Sequence, residues 1–576
     1  MKKINNGNRQ SFRPLFLFLF FMIFLAAILT RLFWLQVLAY DEYRDLAENQ
    51  HQLSEILNPV RGEILMHEGL GVNLVPAVTN IEKNIVFAEP QNIADPQRIA
   101  SALAPILALP QKEILDKVSD RSRRWIVLKK EVLESESQKV VALNLDGIGL
   151  EPQTFRSYPE HTFASQLLGF LGFREDQRVG QYGVEEYFEQ ELAGKPGKLV
   201  LDKDAAGRWI TGGFRELEPA QNGADAVLTI DRAIQFKTEE ILKTAVEDHQ
   251  ADSGSVVIMS PKTGAVLALA NYPSFDPNDF NKVEDPSVFR NSIVSDAYEP
   301  GSVFKAITMA AGLDSGAVTP DETYVDTGSV TLDKFTIRNA QDKVYGQQTM
   351  TQVLEQSINT GAIHVLQETG YDTFLEYLQK FGFGSATGIH LPSEVSGDIS
   401  NLTDRGGDVY NATASFGQGI TVTSLQLAQA LSAIANQGRL VPARIVDRLV
   451  YPDGATKEFP PQPGAQVISS KTAATLGAML VSVVEKGHGK RAAVPGYYIG
   501  GKTGTAQIAR TDGRGYDPDK TIGTFIGFGP VEDPQFVIVV KIVNPKTVQF
   551  AESTAAPTFG QIAQYLVNYL RIPPTR

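Results

Sequence analysis

The sequence predicts an α+β domain from about residue 227 to the C-terminus, behind a mixed N-terminal domain and one membrane-spanning helix. Three observations predict this class: a long apolar run near the N-terminus, strand-like segments toward both ends of the C-terminal part, and helical patterns between them. A chain of 576 residues is long enough for several domains, which average about 150 residues each. The predicted divisions are a cytoplasmic tail at 1–14, a transmembrane anchor at 15–38, an N-terminal pedestal at 39–226 and a C-terminal domain at 227–576.

The apolar run at residues 15–35 predicts a helix that crosses a membrane. Apart from Thr30 and Arg31 its side chains are all apolar, and 21 residues of helix span about 30 Å, the thickness of the hydrocarbon core. Four basic residues and no acid precede the run, which predicts a cytoplasmic N-terminus and an extracytoplasmic remainder. The alternative is a signal peptide cleaved near residues 37–39, but the length and late position of the run favour an anchor.

Composition excludes several classes of function. The net charge of -13 argues against a nucleic-acid-binding protein, which would carry a basic face. Because the chain has no Cys, it has no thiol nucleophile, no disulfide and no Cys-ligated zinc. None of the seven His belongs to an H-E-x-x-H motif, so the sequence gives no support to a zinc hydrolase. We therefore expect neither a metal nor a cofactor.

The pedestal has no pattern that indicates catalysis. Short strand-like segments such as 84–88 and 197–201 alternate there with proline, glycine and charged residues. The segment EDQRVGQY at 175–182 begins with two acids but lacks the aromatic residue and the His that would complete a glycosyltransferase signature. A stem or docking domain is the expectation.

The C-terminal domain reads as helix, strands, many helices, strands and a closing helix. Hydrophobic periodicity predicts helices at 232–249 and 558–570. Apolar runs joined by turn residues predict two strand pairs, at 255–260 with 265–270 and at 521–529 with 535–543. This order predicts an antiparallel sheet backed by helices from both ends of the domain, with a helical block between the strand pairs.

The segment YEPGSVFKAITMAAGL at 298–313 contains the first candidate catalytic residues. Apolar residues surround most of the predicted helix, so this helix should be buried. Ser302 and Lys305 are three residues apart on one face, which places an amine beside a hydroxyl at the helix start. A serine needs a base to become a good nucleophile, and a desolvated lysine has a pKa low enough to act as one. The alternative is that Lys305 reaches solvent, as most helical lysines do. An isolated S-x-x-K is a weak signal, because chance alone supplies several in a chain of this length.

The segment LEQSINTGA at 354–362 adds Ser357 and Asn359. They lie between two helical stretches, where a short loop can direct both polar side chains into a cleft. An S-x-N alone has almost no predictive value. Ser357 lies 55 residues after Ser302 and 145 residues before Lys502, which belongs to a third candidate segment. The order and spacing of the three segments agree with a known arrangement of catalytic motifs.

The segment GYYIGGKTGT at 496–505 fits two motifs. It matches the phosphate-binding P-loop, G-x-x-x-x-G-K-[ST], and it contains the K-T-G of penicillin-recognising serine enzymes. A P-loop must open a helix, but the residues after Lys502 have early glycines, no helical periodicity and a predicted turn at Asp512 and Gly513. They predict a strand that enters a loop, which argues against nucleotide binding.

Together with FGQGITVT at 416–423, these segments resemble the motifs of class B penicillin-binding proteins, the monofunctional peptidoglycan D,D-transpeptidases. NPVRGEIL at 58–65, RSYPE at 156–160 and YGVEEYFEQELAG at 182–194 are similar to the pedestal of that family. The segments KTGTAQ at 502–507 and SFGQGI at 415–420 resemble the division-specific branch of this family more than its elongation branch. Val303 and Ile358 depart from the commonest residues at their positions without removing a catalytic group.

The resemblance implies a serine acyl-enzyme. Ser302 would attack the penultimate D-Ala of a stem peptide ending in D-Ala-D-Ala, with Lys305 as the general base. Ser357 and Lys502 would relay the proton to the leaving amine, and Asn359 would hold the substrate amide. β-Lactams would acylate the same serine.

The resemblance also assigns the K-T-G strand to substrate binding. The hydroxyls of Thr503 and Thr505 would bind the terminal carboxylate, and Gly504 can let a substrate backbone lie close. The backbone N–H groups of Ser302 and Thr505 would form the oxyanion hole. No metal is implied.

The same resemblance implies a single-pass protein of the bacterial inner (cytoplasmic) membrane with its catalytic domain outside. The implied partners are peptidoglycan stem peptides, β-lactams, a membrane-embedded glycan polymerase and other division or elongation proteins. Two alternatives remain: a D,D-carboxypeptidase or β-lactamase that uses water as acceptor, and a non-catalytic β-lactam-binding scaffold or sensor.

Overall fold

The computed structural model describes residues 13–41, 43, 52–69, 71–175, 177–202, 210, 215–332, 334–403, 407–510 and 515–576. The chain folds into two compact units. The first comprises Met1–Pro59 and Gly194–Asn222, and the second comprises Val60–Ala193 and Gly223–Arg576. The pedestal boundary at 226 stays a prediction. The predicted turn at Asp512 and Gly513 lies outside the described residues, as do residues 1–12 of the predicted tail.

The first unit contains the apolar helix and a small sheet. The α-helix Arg13–Phe33 continues into a π-helical turn, Trp34–Leu38. Together they form the one helix among the described residues that is long and apolar enough to cross a membrane, judged by length and composition. The sheet is antiparallel, and its strands run in the order Gln52–Leu57, Gly197–Asp202, Arg215–Glu218.

In the second unit, one sheet joins strands from distant parts of the sequence. Six of its strands lie in the order Thr456–Glu458, Val446–Val450, Asp225–Asp231, Ile64–Glu68, Asn73–Ala88, Ile126–Val132. A seventh strand, Ile148–Ser157, also pairs with Asn73–Ala88. Ile64–Glu68 runs parallel to Asp225–Asp231. This pairing explains why residues 60–193 belong to the same compact unit as the C-terminal part. The same unit also contains the helices Pro96–Leu107, Gln111–Ser119, Glu134–Ala142, Ser165–Leu168, Gly183–Tyr187 and Glu189–Ala193. It also contains a hairpin of strands Phe170–Arg174 and Gln177–Gln181.

A five-stranded antiparallel sheet forms the centre of the C-terminal part. Its order is Val266–Tyr272, Ser253–Met259, Phe536–Val543, Tyr516–Gly529, Gly500–Ala509. Alternate residues of these strands belong to two different apolar clusters, as strand geometry requires. Helices Arg232–Asp248 and Ala555–Tyr569 pack on one face, which confirms the predicted sheet backed by helices from both ends.

The other face of this sheet packs against the helical block. Helices Lys305–Asp314, Ser424–Ala435 and Ser470–Glu485 lie in the apolar core on that side. The remaining helices of the block are Met350–Glu355, Asn359–Thr369, Tyr371–Lys380, Ser400–Thr403 and Asp408–Ala414. Short strand pairs accompany them: Thr323–Asp326 with Gly346–Thr349, Ser329–Leu332 with Phe335–Arg338, and Arg439–Leu440 with Ala465–Gln466.

Candidate active site

Ser302 lies on a tight turn at the start of a buried helix. Residues Gly301–Phe304, called here the Ser302 turn, form a 3-10 turn that leads into the α-helix Lys305–Asp314. Gly301 has a φ of 59°, and its N–H donates to the carbonyl of Gly417 at 3.0 Å. The side chain of Ser302 is partly exposed, while its neighbours Val303 and Phe304 are fully buried. The serine is thus accessible on a rigidly packed turn.

Lys305 is buried, and its amine contacts the S-x-N segment. Its side chain is 1% exposed. Nζ donates to the carbonyl of Ser357 at 2.5 Å and to Oδ1 of Asn359 at 2.8 Å, and it lies 3.3 Å from Oγ of Ser357. None of these partners carries a negative charge. The sequence predicted a lysine that does not reach solvent, and the structure places it there.

The S-x-N segment turns between two helices, Met350–Glu355 and Asn359–Thr369. Ser357 has a φ of 55°, in the left-handed region that few residues other than glycine adopt. Ile358 follows with its side chain fully buried, so its polar neighbours on both sides face the cleft. Asn359 also donates from Nδ2 to the carbonyl of Arg338 at 3.0 Å, which fixes the amide plane.

Lys502 approaches the same hydroxyl from the edge strand of the five-stranded sheet. Its Nζ donates to Oγ of Ser357 at 3.0 Å and to the carbonyl of Thr503 at 3.0 Å, and its side chain is completely buried. Because Gly500–Ala509 is a strand and not the start of a helix, the phosphate cradle of a P-loop is absent here. The K-T-G interpretation agrees with this geometry.

Burial lowers the pKa of both amines, which favours their neutral, proton-accepting form. Burial lowers the pKa of Lys305 well below its usual value, and the nearby charge of Lys502 lowers it further. Burial also lowers the pKa of Lys502, to about 7. A neutral Lys305 has two N–H groups, which match its two short contacts, and it keeps a lone pair that can accept a proton. The cluster therefore contains a ready base at neutral pH.

Gly504 packs directly on the Ser302 turn. A Cβ at this position would lie 2.9 Å from the carbonyl oxygen of Pro300 and 2.9 Å from the backbone N of Val303. This contact brings the K-T-G strand against the residues that flank Ser302. A side chain at position 504 would therefore prevent this close approach of two backbone segments.

Thr503 and Thr505 alternate with Lys502 and Gly504 along the strand, as predicted. Thr503 is 7% exposed, whereas Thr505 is exposed. Oγ1 of Thr505 accepts a hydrogen bond from the backbone N of Ala551 at 3.1 Å. This contact leaves the hydroxyl proton of Thr505 available for a ligand oxygen.

Sequence reasoning missed Glu299. Its carboxylate accepts from the hydroxyl of Tyr516 at 2.9 and 3.0 Å and from the backbone N of Gly419 at 2.9 Å. It therefore links the segment just before the Ser302 turn to the loop at Gly419 and to the strand Tyr516–Gly529. The acid three positions before Ser302 was visible in YEPGS, but its two partners lie 120 and 217 residues away.

Two family models together match most of the chain. The penicillin-binding protein transpeptidase domain matches residues 254–564, and the penicillin-binding protein dimerisation domain matches residues 56–228. Stage V sporulation protein D of Bacillus subtilis is 34% identical over 571 residues, which cover 98% of this chain and 86% of that protein. The chain is a class B penicillin-binding protein. Peptidoglycan D,D-transpeptidase FtsI of Escherichia coli is 30% identical over 562 residues, which cover 96% of this chain and 91% of that protein.

Solved structures of this family share the fold. Penicillin binding protein 3 of Mycobacterium tuberculosis, complexed with aztreonam, has a TM-score of 0.70 and 27% identity, and the match covers 91% of this chain and 98% of that one. A peptidoglycan synthetase from Bifidobacterium adolescentis has a TM-score of 0.71 and 26% identity, with coverage of 91% and 98%. The α+β transpeptidase fold and the serine-type transpeptidase activity predicted from the sequence are confirmed. The apolar helix and the family together make this a membrane-anchored protein.

Proposed function

We propose that this penicillin-binding protein cross-links peptidoglycan stem peptides through an acyl-enzyme on Ser302. The observation that supports this assignment is the hydroxyl of Ser357, which lies within 3.3 Å of Lys305 Nζ and 3.0 Å of Lys502 Nζ. Two buried amines that share one neutral hydroxyl form a path for protons. Such a path is needed where a serine loses a proton and a leaving amine gains one.

Acylation begins with Ser302. Its Oγ attacks the carbonyl of the penultimate D-Ala, and its proton moves to the neutral amine of Lys305. The C–N bond to the last D-Ala then breaks, and the leaving nitrogen takes a proton through Ser357, with Lys502 restoring it. The products are an ester on Ser302 and free D-Ala. The amine of a neighbouring stem peptide attacks this ester and passes its proton through Ser357 to Lys502, which gave one up during acylation. The ammonium of Lys305 returns its proton to Oγ of Ser302 as the ester C–O bond breaks, which regenerates the serine and both lysines.

The K-T-G strand orients the donor peptide. The hydroxyls of Thr503 and Thr505 bind the terminal carboxylate beside Lys502, and Asn359 binds the substrate amide. The backbone N–H groups of Ser302 and Thr505 stabilise the oxyanion, where loss of one donor typically costs about 100-fold to 1000-fold in rate. Close packing of Gly504 on the Ser302 turn keeps these two N–H groups near each other.

Labelling with a fluorescent penicillin tests the assignment of the nucleophile. The native protein should form a covalent adduct, and Ser302→Ala should form none. Ser315→Ala, at the far end of the same helix, is the matched control and should label like the native protein. A persistent adduct on Ser302→Ala would overturn the assignment, and absence of label on the native protein would indicate an inert scaffold.

The competing hydrolase function is tested by measuring whether the acyl-enzyme reacts mainly with water or mainly with an amine. A donor peptide ending in D-Ala-D-Ala is supplied together with an amine acceptor. A transpeptidase should give mainly the amide product, and its penicilloyl adduct should persist. Rapid release of penicilloic acid or mainly hydrolysed peptide would identify a β-lactamase or a carboxypeptidase.

We also propose an inner-membrane location with the catalytic domain outside, beside a glycan polymerase that contacts the anchor and pedestal, with a role in septal synthesis. The four basic residues before the apolar run support this orientation. A C-terminal tag should be accessible to protease only from outside, and a fluorescent fusion should gather at division sites. Enrichment along the lateral wall would instead indicate an elongation role.

A further inference from the structure

A row of buried polar side chains crosses the five-stranded sheet. Strand pairing places Ser255 opposite Lys541, Lys541 opposite Thr524, and Thr524 opposite Gly504. On the other side of Ser255 the row continues to Asn271. Directly opposed residues of an antiparallel pair project from the same face. The row therefore ends at the glycine that packs on the Ser302 turn.

This row lies in an otherwise apolar layer. Residues two positions along the same strands, Val257, Val539 and Ile526, belong to the core that the sheet shares with helix Ser424–Ala435. Lys541 is only 4% exposed within this layer. A buried ammonium is costly unless another group compensates its charge, so its surroundings must supply a partner.

The partner of Lys541 is an aromatic ring. Its Nζ lies 5.0 Å from the centroid of the Tyr298 ring, and it forms no ion pair with any carboxylate among the described residues. The hydroxyl of Thr524 donates to the hydroxyl of Tyr298 at 3.2 Å, which holds the ring over the row. A desolvated cation against a ring face is a favourable contact, worth more here than at an exposed site.

Tyr298 leads directly to the nucleophile. Its backbone N donates to the carbonyl of Val422 at 3.0 Å, and the N of Val422 donates back at 2.9 Å. Three residues later, Gly301 is bonded to Gly417. Backbone contacts thus fix the segment from the loop side, and the ring of Tyr298 fixes it from the sheet side.

We propose that Lys541 is a positioning residue for the acyl-transfer reaction, whose ammonium holds the Tyr298 ring against the sheet and so fixes the segment that carries Ser302. This inference rests on the proposed function of Ser302. Lys541 touches neither substrate nor Ser302 in this scheme and acts only through Tyr298.

The ionisation of Lys541 provides a signature that packing alone would not give. Burial lowers the pKa of Lys541 to about 8, and the negative charge of Asp296 opposes this shift. Tyr298 is the only ionisable group in contact with its amine among the described residues. The neighbouring elements Ser253–Met259, Ser292–Ser295 and Ser424–Ala435 contain no ionisable side chain, and Asp296, which follows the second of them, pairs with Arg290. The paired strand Tyr516–Gly529 has Tyr516, Asp517, Asp519 and Lys520, which lie at least four residues from Thr524, the residue opposite Lys541. Lys502 projects from the same face of the sheet, two strands away. Above about pH 8 the amine of Lys541 loses its charge and its attraction to the ring.

The test compares Lys541→Met, which keeps the length and removes the charge, with Lys541→Arg, which keeps the charge. The control is Lys546→Met, because Lys546 is a surface lysine that pairs with Asp252. We expect the rate constant for acylation by a fluorescent penicillin at pH 7 to fall about tenfold in Lys541→Met. Lys541→Arg should restore most of the rate, and Lys546→Met should leave it unchanged.

Two further measurements separate positioning from folding. The melting temperature of Lys541→Met should not fall, because a buried cation has been removed, and the ratio of native to Lys541→Met rates should approach one above about pH 9. The proposal would be overturned if Lys541→Met acylated at the native rate. It would also be overturned if Lys541→Met and Lys541→Arg lost the same fraction of the acylation rate at every pH. Label on Ser302→Ala would instead defeat the proposed function, so the two failures are distinguishable.

Discussion

Two buried clusters in the same compact unit differ in how their charge is compensated. In the pedestal, Glu185 is fully buried and accepts from Nε of Arg61 at 2.7 Å and from Nε of Arg156 at 2.8 Å. Burial alone would raise the pKa of Glu185, but the two guanidinium groups together lower it. In the candidate catalytic cluster, Lys305 and Lys502 are equally buried, but the partners of their hydrogen bonds are neutral oxygens.

This difference separates a structural role from a chemical one. A buried charge with good partners keeps its charge in the folded state, and it rigidifies the segments that it joins. A buried amine that meets only neutral hydrogen-bond partners binds its proton less tightly, and in its neutral form it has a lone pair for proton transfer. Both clusters lie in short motifs of the family, so compensation of charge, rather than the motif, distinguishes their roles.

Replacing Lys305 by Met should give the largest effect. Because Lys305 is the proposed general base, we expect the rate of acylation by a fluorescent penicillin to fall about 1000-fold. The free energy of unfolding should change little, because the gain from burying an apolar side chain of similar length offsets the loss of the hydrogen bonds to the carbonyl of Ser357 and to Oδ1 of Asn359. A variant that is both inactive and strongly destabilised would contradict the distinction between the clusters.

Removing the charge of Glu185 should give the opposite result. Glu185→Gln leaves two buried guanidinium groups without their shared acid, so we expect the free energy of unfolding to fall by about 3 kcal/mol. Chemical denaturation measures this change, with the exposed Glu151→Gln as control. Folded Glu185→Gln should acylate at close to the native rate. A large loss of rate in protein that remains folded would show that the pedestal cluster has a chemical role.

The sequence allowed the catalytic segments to be predicted because each depends on local pattern. The spacing of Ser302 and Lys305, the polar pair of S-x-N and the strand pattern after Lys502 are all readable within about ten residues. The sheet backed by terminal helices followed from periodicity in the same way. These features agree with the structure.

The remaining features depend on contacts between distant segments. The left-handed backbone of Ser357, the bonds from Glu299 to Tyr516 and the ring of Tyr298 over Lys541 arise only when separate elements pack together. Likewise, no local pattern indicates that Ile64–Glu68 pairs with Asp225–Asp231. A single sequence predicts which residues are reactive more readily than which residues hold them in place.

The pH dependence of stability sharpens the comparison. Lys502 has a pKa of about 7 in the folded protein against an ordinary value of 10.5. Between these values the unfolded chain binds the extra proton, so the free energy of unfolding rises with pH, by at most about 1.4 kcal/mol per unit. Lys305 and Lys541 also have lowered pKa values and contribute to the same rise, so Lys502→Met should have a smaller slope between pH 7 and pH 9 than the native protein. Denaturation at several pH values would detect the difference.

Glu185 should affect the pH dependence of the free energy of unfolding at acidic pH. Because its pKa is lowered, its contribution is present above the ordinary value of 4.5 and is lost as the pH falls through its folded pKa. Between pH 7 and pH 9 it is ionised in both states, so Glu185→Gln should retain the native slope that Lys502→Met reduces. An unchanged slope in Lys502→Met would contradict a low folded pKa for that lysine.

The smallest expected effect concerns the backbone of Ser357. Its φ of 55° is unfavourable for serine and ordinary for glycine, so Ser357→Gly should relieve strain that Ser357→Ala retains. We expect the glycine variant to have the higher free energy of unfolding, by about 1 kcal/mol or less, because added freedom in the unfolded chain offsets part of the gain. Both variants lack the shared hydroxyl and should acylate equally slowly. If Ser357→Gly instead acylated faster than Ser357→Ala, the left-handed turn would itself limit the reaction, and the hydroxyl between the lysines would not be the decisive group.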